Sequence, residues 1–327
     1  MSTTPETQLQ IVPTRTLVLS AVDGDGLLAA DPLFELVRAT GHTDKALRDC
    51  LARMVKAGSL EHLDGRGRRA TYLATAAGMA LVDADTGWSA LAHRLDAGLE
   101  PWDGRWHLLS FEIPERQRSA RDALRGLLVE LGAAAVHSGL YLHAHDLSPF
   151  VSQLARHHHI EAHLSWLSTT DLTVASAVVD RQAVEEIFAL PSVAATYATV
   201  ETDLRRIIDH ADETADPILA ADMISAVVRL EDALRADPML PAELLPAEWA
   251  GASARAAFLV AHRLCSQRST IYRSSSAMQS TVDQTERALS ESQEQFWRRW
   301  FPRLTTSYAR QLPNPDSRRK GPGDDIA

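Results

Sequence analysis

A glycine-rich run from His62 to Gly78 gathers positive charge on a short turn. The run contains three arginines, Arg66, Arg68 and Arg69, in a protein whose formal net charge is −10. Guanidinium groups on a short turn are well suited to bind phosphate oxygens, because they donate several hydrogen bonds and keep their charge. Three interpretations are open for the run alone: a phosphate-binding loop, a disordered basic patch, or the tip of a hairpin that contacts nucleic acid.

Segments rich in β-forming residues flank this turn and predict a β-hairpin. SLEHLD precedes and RATYLA follows the central Gly65-Arg66-Gly67, and a glycine in such a turn allows a positive φ angle. These glycines therefore lie inside a hairpin, whereas a dinucleotide-binding loop needs them between a strand and a helix. A final helix is expected after the hairpin, with Thr75 as its cap.

Three helices are predicted before the hairpin. Pro13 opens a first short helix, and Asp31 caps a second helix, which ends at Gly41. Thr43 caps the third helix, whose apolar residues recur at helical spacing, namely Leu47, Cys50, Leu51, Met54 and Val55. This order of helices and hairpin predicts a winged helix-turn-helix domain, which we assign to residues 13–83.

A winged helix-turn-helix domain is suited to bind double-stranded DNA. Its third helix enters the major groove, where the base edges can be read, and its hairpin lies along the phosphates. Between His42 and Leu73 there are seven lysines and arginines against four acidic residues, a local surplus within an acidic chain. The alternative is a module that binds another protein. The candidate DNA-binding residues are Thr43, Lys45, Arg48, Asp49, Arg53, Arg66, Arg68 and Arg69.

The length and composition of the chain limit its possible domain organisation and location. The 327 residues, 45% of them hydrophobic, predict two or three domains with apolar cores. The sequence has no apolar run long enough to span a bilayer and no signal-peptide core at its start, so we expect a cytoplasmic protein without a membrane partner. Residues 1–12 should be disordered, and Cys50 and Cys265 should be buried thiols.

The segment 102–172 begins with a strand and a helix. Leu109, Phe111 and Ile113 alternate on one face of the strand, and the helix that follows carries an apolar stripe and ends at Gly132. A linker helix is expected before this segment, over residues 84–101.

The second half of the segment predicts two more strands, a helix and a last strand. The two strands turn at Gly139, and the helix has Ser148 as its cap and Pro149 in its first turn. The last strand should have one face formed by Ile160, Ala162, Leu164 and Trp166. The order βαββαβ predicts a ferredoxin-like domain.

Helical periodicity predicts an all-α C-terminal domain over residues 175–312. The end of the chain, residues 313–327, is rich in proline, glycine and charge and should be disordered. The fold class expected for the whole chain is therefore α+β with several domains. Candidate helices of the C-terminal domain cover residues 181–190, 192–209, 216–235, 252–266 and 277–301.

Three stretches, in matching order, resemble the PaaX family of bacterial transcriptional regulators. The longest begins at Trp102-Asp103-Gly104-Arg105-Trp106, continues through residues 110–116 and ends at Ser138-Gly139-Leu140-Tyr141. The hairpin GRGRRATYLATAAG resembles the wing of the family, and DPMLPAELLPAEWAG, residues 237–251, resembles its late proline-rich signature. The resemblance covers residues 13–265, about three quarters of the chain.

The resemblance implies a homodimeric repressor that binds a pseudo-palindromic operator and controls catabolic genes, such as those for phenylacetate breakdown. It also implies release by a small effector, such as phenylacetyl-CoA or a related aromatic acyl-CoA or acid. Dimerisation and effector binding are expected in the central and C-terminal domains. The resemblance implies no cofactor and no enzymatic activity. Residues 272–312 match no pattern of the family that we can place.

An effector pocket usually has apolar walls and a few polar anchors. The tryptophans at the start of the central segment could form such a wall, and nearby arginines could bind the phosphates of a coenzyme A thioester. The alternatives are core packing for the tryptophans and a solvated helix face for the arginines. The candidate effector-binding residues are Trp102, Arg105, Trp106, Arg116 and Arg121.

Two further features are compatible with metal chemistry. The histidines of ARHHHIEAH could bind zinc or copper, but neighbouring histidines on a helix point in different directions, so we expect a solvated helix end and no metal. The ferredoxin-like segment of PaaX proteins resembles the small dimeric nucleases of CRISPR spacer acquisition, which carry a metal-binding carboxylate about where Glu112 stands. A metal-dependent nuclease is therefore the alternative function.

Overall fold

The computed structural model describes residues 12–82, 86–174, 177–273 and 276–299. The predicted disordered ends, all but Val12 of the leader and the whole of the tail, lie outside these ranges. The described chain is an α+β protein that combines many helices with two small antiparallel sheets and a short ribbon. Within these ranges, the structure has no helix long and apolar enough to cross a membrane.

The N-terminal part combines helices with a three-stranded antiparallel sheet of order β1-β3-β2. Its elements are α1 (Thr14–Ser20), β1 (Leu27–Ala29), α2 (Ala30–Ala39), α3 (Asp44–Lys56), β2 (Leu60–Asp64), β3 (Thr71–Ala74) and α4 (Ala76–Val82). The predicted helices and hairpin are present, with a register shift between His62 and Asp64. Helices α1, α2 and α3 pack around side chains with no exposed surface, among them Leu17, Leu33 and Leu47.

Two helix caps in this part are as predicted and one prediction is wrong. Thr75 caps α4, because its Oγ1 accepts a hydrogen bond from the N–H of Gly78 at 3.2 Å. Thr43 caps α3, because its Oγ1 accepts a hydrogen bond from the N–H of Ala46 at 3.1 Å. Asp31 does not cap α2, since the helix begins at Ala30 and Asp31 lies in its first turn. The strand β1, too short to show a sequence pattern, leads directly into this helix. The N–H of Ala30 donates to the carbonyl of Ala70 at 2.9 Å, so backbone pairing replaces a side-chain cap.

The central part follows α5 (Thr86–Asp96), which lies within the predicted linker. It contains the predicted order of strands and helices, and its sheet has the order β5-β6-β4-β7 with every neighbouring pair antiparallel. The two helices cover one face of this sheet around a core of leucine, phenylalanine and valine side chains. The elements are β4 (Trp106–Phe111), α6 (Arg118–Glu130), β5 (Ala134–His137), β6 (Leu140–His143), α7 (Ser148–His158) and β7 (Leu164–Thr169).

Strand β4 is buried on both faces. Leu109 and Phe111 pack with α6 and α7 in one core, whereas Trp106 and Leu108 pack in the other core with the helices of the C-terminal part. Trp106 stacks on Phe188 with ring centroids 6.4 Å apart. The alternation predicted from the sequence describes only the first of these faces.

The last strand of the sheet is shorter than predicted. A 3-10 helix over Glu161–His163 replaces its first half, and β7 begins at Leu164, which pairs with Phe111. Because β7 is an edge strand, its side chains do not alternate between core and solvent as predicted, and Trp166 is 39% exposed.

The start of α7 also differs from the prediction. Ser148 is the first residue of the helix and does not cap it. The carboxylate of Asp146 accepts the N–H of Ser148 at 2.8 Å and its hydroxyl at 3.0 Å, so the aspartate two residues upstream supplies the oxygen. Pro149 occupies the first turn as predicted.

The C-terminal part is helical from Arg181 onwards. A two-stranded ribbon that the sequence analysis missed, β8 (Thr173–Val174) and β9 (Ala177–Val178), precedes the helices, so the all-α description applies only after it. Helix α10 packs on α2, α5, α9 and α11, and α13 packs on α5 and α1. The helices are α8 (Arg181–Ile187), α9 (Leu190–His210), α10 (Asp216–Ala236), α11 (Ala250–Arg268), α12 (Thr270–Arg273) and α13 (Ser276–Ser290).

The helix predicted over residues 277–301 is interrupted after Ser290. Residues 293–299 are helical again, and Ser292 marks the break, because its Oγ accepts the N–H of Gln295 at 3.3 Å. This break turns the last described segment back towards the centre of the molecule, where Phe296 has no exposed surface.

A buried ion network joins α5, α9, α11 and the chain after α10. Arg255 is 2% exposed, and its guanidinium donates to both carboxylate oxygens of Asp96 at 2.7 Å. It also donates to the Tyr197 hydroxyl at 2.9 Å and lies 3.3 Å from the carboxylate of Asp237. Tyr197 donates to Asp237 at 2.8 Å, and burial raises the pKa of Tyr197, so this donor keeps its proton.

Replacing Arg255 with alanine should lower the free energy of unfolding by about 3–5 kcal/mol, because Asp96 and Asp237 would be left without the cation that neutralises them. Urea unfolding at pH 7, followed by circular dichroism, measures this loss. Arg205→Ala is the matched control, since it removes an exposed ion pair with Glu201 on α9 and should cost at most about 1 kcal/mol. Equal losses in the two variants would contradict the role given to the network.

Candidate functional site

A groove lies between the exposed side of α3 and the hairpin of the N-terminal part. Its volume is about 500 Å³. The predicted residue Arg48 lies in its wall together with a second cation, Lys56, which the sequence analysis did not select. We call this surface the basic groove. Its walls are formed by Phe34, Arg48, Leu51, Ala52, Val55, Lys56, His62, Gly67 and Tyr72.

Exposed cations of α3 surround the basic groove. In the part of the chain that the structure describes, Lys45, Arg48 and Lys56 have no salt bridge, although Asp44 at the start of the helix pairs with Arg38 at 2.7 Å. Unpaired cations on one helix face create a positive potential that attracts phosphates. The structure therefore places most of the predicted helix residues on one exposed surface, which also includes Thr43, Asp49 and Arg53.

The turn between β2 and β3 depends on Gly65. Its φ angle is +75°, and a Cβ atom there would lie 2.0 Å from the carbonyl oxygen of Arg69, so a larger residue would require the turn to move. The carboxylate of Asp64 accepts the N–H of Gly65 at 2.7 Å. This conformation leaves the side chains of Arg66 and Arg69 exposed.

Arg68 differs from the other two arginines of the turn. Its guanidinium donates to the carboxylates of Asp31, at 3.0 Å, and Glu35, and it lies 5.4 Å from the ring centroid of Phe34. The hydrogen bond from Arg68 lowers the pKa of Glu35. These contacts anchor the turn to α2, so this charge is partly neutralised within the protein. From the sequence alone the three arginines have one expected role, because the partners of Arg68 are distant along the chain.

The two tryptophans predicted to bind an effector lie in or against the core. Trp106 is 3% exposed. Trp102 packs on it with ring centroids 5.3 Å apart, and the indole N–H of Trp102 donates to the carbonyl of Arg105 at 3.0 Å. These contacts match the core-packing alternative for both tryptophans.

The three arginines predicted to bind an effector have different surroundings. Arg105 donates to the Ser168 hydroxyl at 3.0 Å, and Arg121 pairs with Glu115 at 2.9 Å. Arg116 is exposed before α6. Neither these arginines nor the two tryptophans line an apolar cavity that lies beside the central sheet.

That cavity has a volume of about 280 Å³ and lies where α5, the central sheet and the segment after α13 meet. We call it the junction cavity. Its polar residues are Glu100, His143, His145, Asp146 and Gln293. The sequence analysis missed it because its walls come from distant segments, and the pair of histidines at the end of β6 was its only local signal. Its apolar walls are formed by Trp88, Leu91, Leu131, Leu147, Pro149, Phe150, Met239 and Trp297.

Two neutral histidines form one wall of the junction cavity. The Nδ1 atom of His143 accepts the N–H of His145 at 2.9 Å, so its Nε2 carries the proton and donates to the carbonyl of Pro238 at 2.8 Å. The Nε2 atom of His145 lies 3.0 Å from the carbonyl of Met239 and donates to it. Burial lowers the pKa of His143 to about 3 and also lowers the pKa of His145. The two rings thus hold the chain after α10 against the sheet.

Glu100, which lines another side of the cavity, belongs to a buried ion pair. Arg94 is 1% and Glu100 is 3% exposed, and Nε of Arg94 donates to Oε1 of Glu100 at 2.7 Å. The other carboxylate oxygen accepts the side-chain amide of Gln293 at 2.8 Å and the indole N–H of Trp297 at 3.0 Å. Arg94 also donates to two carbonyl oxygens at the end of α13, at 2.6 and 2.8 Å. One ion pair therefore ties the last described segment to α5.

The residues considered for metal chemistry are not clustered. Glu112 is exposed, and its N–H donates to the carbonyl of His163 at 3.1 Å. His158 ends α7, and His159 follows it with a φ angle of +54°. Within the described ranges, no group of three or more histidine, cysteine, aspartate or glutamate side chains is arranged to hold a metal ion. The nuclease alternative stays a prediction.

Two segments of the chain match known protein families. Residues 99–182 match the PaaX protein central Cas2-like domain, and residues 188–275 match the PaaX-like protein C-terminal domain. Together the two matches span just over half of the chain. The chain belongs to the PaaX family.

Individual proteins agree with this membership in the PaaX family. The transcriptional repressor PaaX of Escherichia coli (strain K12) is 26% identical over 250 residues, which cover 73% of this chain and 77% of that protein. The solved structure of an uncharacterized protein from Mycobacterium tuberculosis superimposes with a TM-score of 0.50 and 22% sequence identity, and the match covers 84% of this chain and 95% of that chain. The second likeness concerns the fold alone.

The junction cavity draws on both PaaX domains and on the chain beyond them. His143 and His145 lie in the segment that matches the central domain, and Met239 lies in the segment that matches the C-terminal domain. Gln293 and Trp297 follow residue 275, where the second match ends. Trp88 and Leu91 precede residue 99, where the first match begins. Stretches on both sides of the two PaaX domain matches thus complete a cavity whose other walls belong to those domains.

Lowering the pH from 7 to 5 should destabilise the protein more strongly than it destabilises a His143→Gln variant. The folded-state pKa of His143, about 3, lies below its ordinary value of 6.5, so below pH 6.5 the unfolded chain binds a proton that the folded chain excludes. The stabilisation is complete above pH 6.5 and is lost progressively down to about pH 3.

Urea unfolding of both proteins at pH 7, 6 and 5 measures this effect. One histidine can contribute at most about 1.4 kcal/mol per pH unit to the slope of the unfolding free energy. The wild-type slope should exceed that of the variant by a large part of this amount. Identical slopes would show that His143 is not kept neutral by the fold.

Proposed function

We propose that this protein is a DNA-binding transcriptional repressor and not an enzyme. The observation that carries the proposal is the basic groove, which Arg48 and Lys56 of α3 line together with Gly67 of the β2–β3 turn. Arg66 and Arg69, on either side of Gly67, are exposed, in a protein whose formal net charge is −10. Membership in the PaaX family and the likeness to a transcriptional repressor of Escherichia coli support the same function. The partner is a double-stranded operator.

In this proposal, residues 13–83 act as a winged helix-turn-helix domain. Helix α3 is the recognition helix, with Arg48 and Lys45 directed to base edges or to flanking phosphates in the major groove. The turn between β2 and β3 is the wing, and Arg66 and Arg69 bind phosphates. Arg68 takes a positioning role, because its contacts with Asp31 and Glu35 fix the wing relative to α2.

Residues 102–172 act as a ferredoxin-like domain in the proposed organisation. The order β5-β6-β4-β7 with two helices on one face supports this assignment, as does the match to a Cas2-like domain. The helix in the predicted linker, residues 84–101, is a structural part of the core, since Leu91 and Arg94 are buried. The C-terminal helical domain, from residue 175 to 312, would complete the effector-sensing part of the molecule.

The repressor acts as a homodimer in this proposal, because a pseudo-palindromic operator offers two equivalent half-sites. The edge strand β7 is a suitable contact between two copies. It has no strand on its outer side in the described structure, and Trp166 and Leu167 are 39% and 55% exposed. Two such strands can pair about a twofold axis and bury these side chains.

A small effector releases the repressor, and the family resemblance favours an aromatic acyl-CoA or an aromatic acid. An effector can weaken DNA binding only if it prefers a conformation in which the two recognition helices no longer match the half-sites. The junction cavity, which combines apolar walls with a few polar groups, is a separate site that suits a smaller molecule.

Substitutions in the wing should distinguish the roles of its three arginines in DNA binding. Arg66→Ala and Arg69→Ala should each weaken binding to a random-sequence DNA duplex and reduce the slope of log K against log salt concentration by about 1, because each removes one phosphate contact. Arg68→Ala is the matched control and should change the slope less, since Arg68 already pairs with two carboxylates. Fluorescence anisotropy at several salt concentrations measures both quantities.

Arg48→Ala, tested in the same assay, should act differently from the wing variants. It should weaken binding to an operator selected from genomic DNA by about 1–3 kcal/mol, and binding to the random duplex by less, because the side chain is directed to base edges. If the variants of Arg48, Arg66 and Arg69 all keep the wild-type affinity, the basic groove is not the DNA surface.

A charged residue on β7 should shift the protein from dimer to monomer. Leu167→Lys would place a cation where two copies of the edge strand meet, and sedimentation velocity would detect the change in mass. Val129→Lys is the control, because Val129 is 64% exposed on α6, away from β7, and should leave the mass unchanged. A Leu167→Lys protein that remains dimeric places the interface elsewhere.

A further inference from the structure

We propose that the junction cavity binds a small, uncharged aromatic molecule that carries a hydrogen-bond donor, such as a substituted phenol, and that it rejects aromatic carboxylates. Binding itself follows from the cavity alone. The regulatory consequence of binding rests on the proposed function as a repressor.

The size of the cavity limits the ligand to one substituted ring. Its volume is about 280 Å³, roughly twice that of an engineered apolar cavity of about 150 Å³ that binds benzene. Aromatic side chains stand in its walls, since the rings of Phe150 and Trp297 lie edge to face with centroids 6.1 Å apart, and Trp88 joins them. These surfaces offer an aromatic ligand the ring contacts that such groups prefer.

The charges around the cavity disfavour a carboxylate. Its polar residues include two acids, Glu100 and Asp146, and no lysine or arginine stands among the residues that line it in the described structure. Arg94, which pairs with Glu100 beside the cavity, is already bound to that carboxylate and to two backbone carbonyl oxygens. An anionic ligand would therefore lose its hydration without gaining a positive partner.

The same residues favour a ligand that donates a hydrogen bond. The neutral His145 ring donates through Nε2 to the carbonyl of Met239, which leaves Nδ1 as an acceptor. The carboxylate of Asp146 accepts two hydrogen bonds from Ser148 and has further acceptor capacity. The indole N–H of Trp297 and one N–H of the Gln293 amide are already bound to Glu100. The polar side of the cavity is therefore rich in acceptors, and a hydroxyl group of the ligand can satisfy them.

A bound ligand would contact the segment that connects the cavity to the N-terminal part. Trp297 and Gln293 belong to the segment that follows α13, and α13 packs on both α5 and α1. A ligand that displaces Trp297 or competes for Glu100 would loosen the attachment of this segment. Occupancy of the cavity can in this way change the packing of α1, which also contacts α2 and α3.

Calorimetric titration of the full-length protein at pH 7.5 with three matched compounds tests the proposal. 4-Ethylphenol should bind, 4-ethylanisole should bind about tenfold more weakly because it lacks the donor, and 4-ethylbenzoate should give no measurable heat. No binding of 4-ethylphenol to the folded protein, or binding of the benzoate at equal strength, would overturn the proposal.

Two variants test whether the ligand binds in the junction cavity. Leu91→Phe narrows the cavity and should abolish binding of 4-ethylphenol, whereas Leu289→Phe, at a side chain that is 38% exposed, should not. Asp146→Asn keeps the oxygen that caps α7 but removes one negative charge, so 4-ethylbenzoate, which gives no measurable heat with the wild type, should give measurable heat with this variant. Circular dichroism reports whether Leu91→Phe is folded, and the Asp146 variant tests the site independently of it.

The ligand titrations contain no DNA, and the DNA assays of the proposed function contain no ligand. Failure of the cavity proposal is therefore distinguishable from failure of the repressor proposal. Loss of 4-ethylphenol binding in Leu289→Phe as well as in Leu91→Phe would show that the compound binds elsewhere and would overturn the assignment to the junction cavity.

Discussion

The burial of Arg255 constrains much of this structure. A guanidinium that is closed to water must be surrounded by acceptors, and its acceptors come from three separate stretches of the chain: Asp96 at the end of α5, Tyr197 on α9 and Asp237 after α10. Because a single cation satisfies these groups together, the ends of the helices cannot shift independently without exposing an unpaired charge to an apolar environment. The network therefore fixes the position of the segment that follows α10.

The position of that chain then determines the wall of the junction cavity. Pro238 and Met239 follow Asp237 directly, and their carbonyl groups accept the protons of His143 and His145. Gly132 is required where the chain passes, because a Cβ atom there would lie 2.6 Å from the Cα of Pro238. The central sheet is thus held against the C-terminal helices by three features together: the ion network, the two neutral histidines and Gly132.

Local signals predicted local structure well. The spacing of apolar residues on α3, the cap at Thr43 and the glycine of the β2–β3 turn each depend on residues within a few positions, and the structure contains all three features. The order of strands and helices in the central part was predictable for the same reason.

Features that depend on distant residues were not predictable. Asp31 is in a position typical of a helix cap, but its partner Arg68 is 37 residues away. The strand β1, which leads into α2, is only three residues long. The aromatic and basic residues chosen for an effector were judged by type, although Trp106 is core and Arg121 is paired within its own segment. The junction cavity combines residues from Trp88 to Trp297, and no periodicity or short pattern connects them.

The segment that carries Gln293 and Trp297 bears on the chemical selectivity of the junction cavity. It lies beyond the stretches that match the two PaaX domains, yet it supplies part of the surface that a ligand would touch. Substitutions at these two positions alter the shape and polarity of the cavity without changing Arg255, the central sheet or the basic groove. The chemical selectivity of the cavity can therefore change through a peripheral stretch of chain, while Arg255 and the central sheet stay as they are.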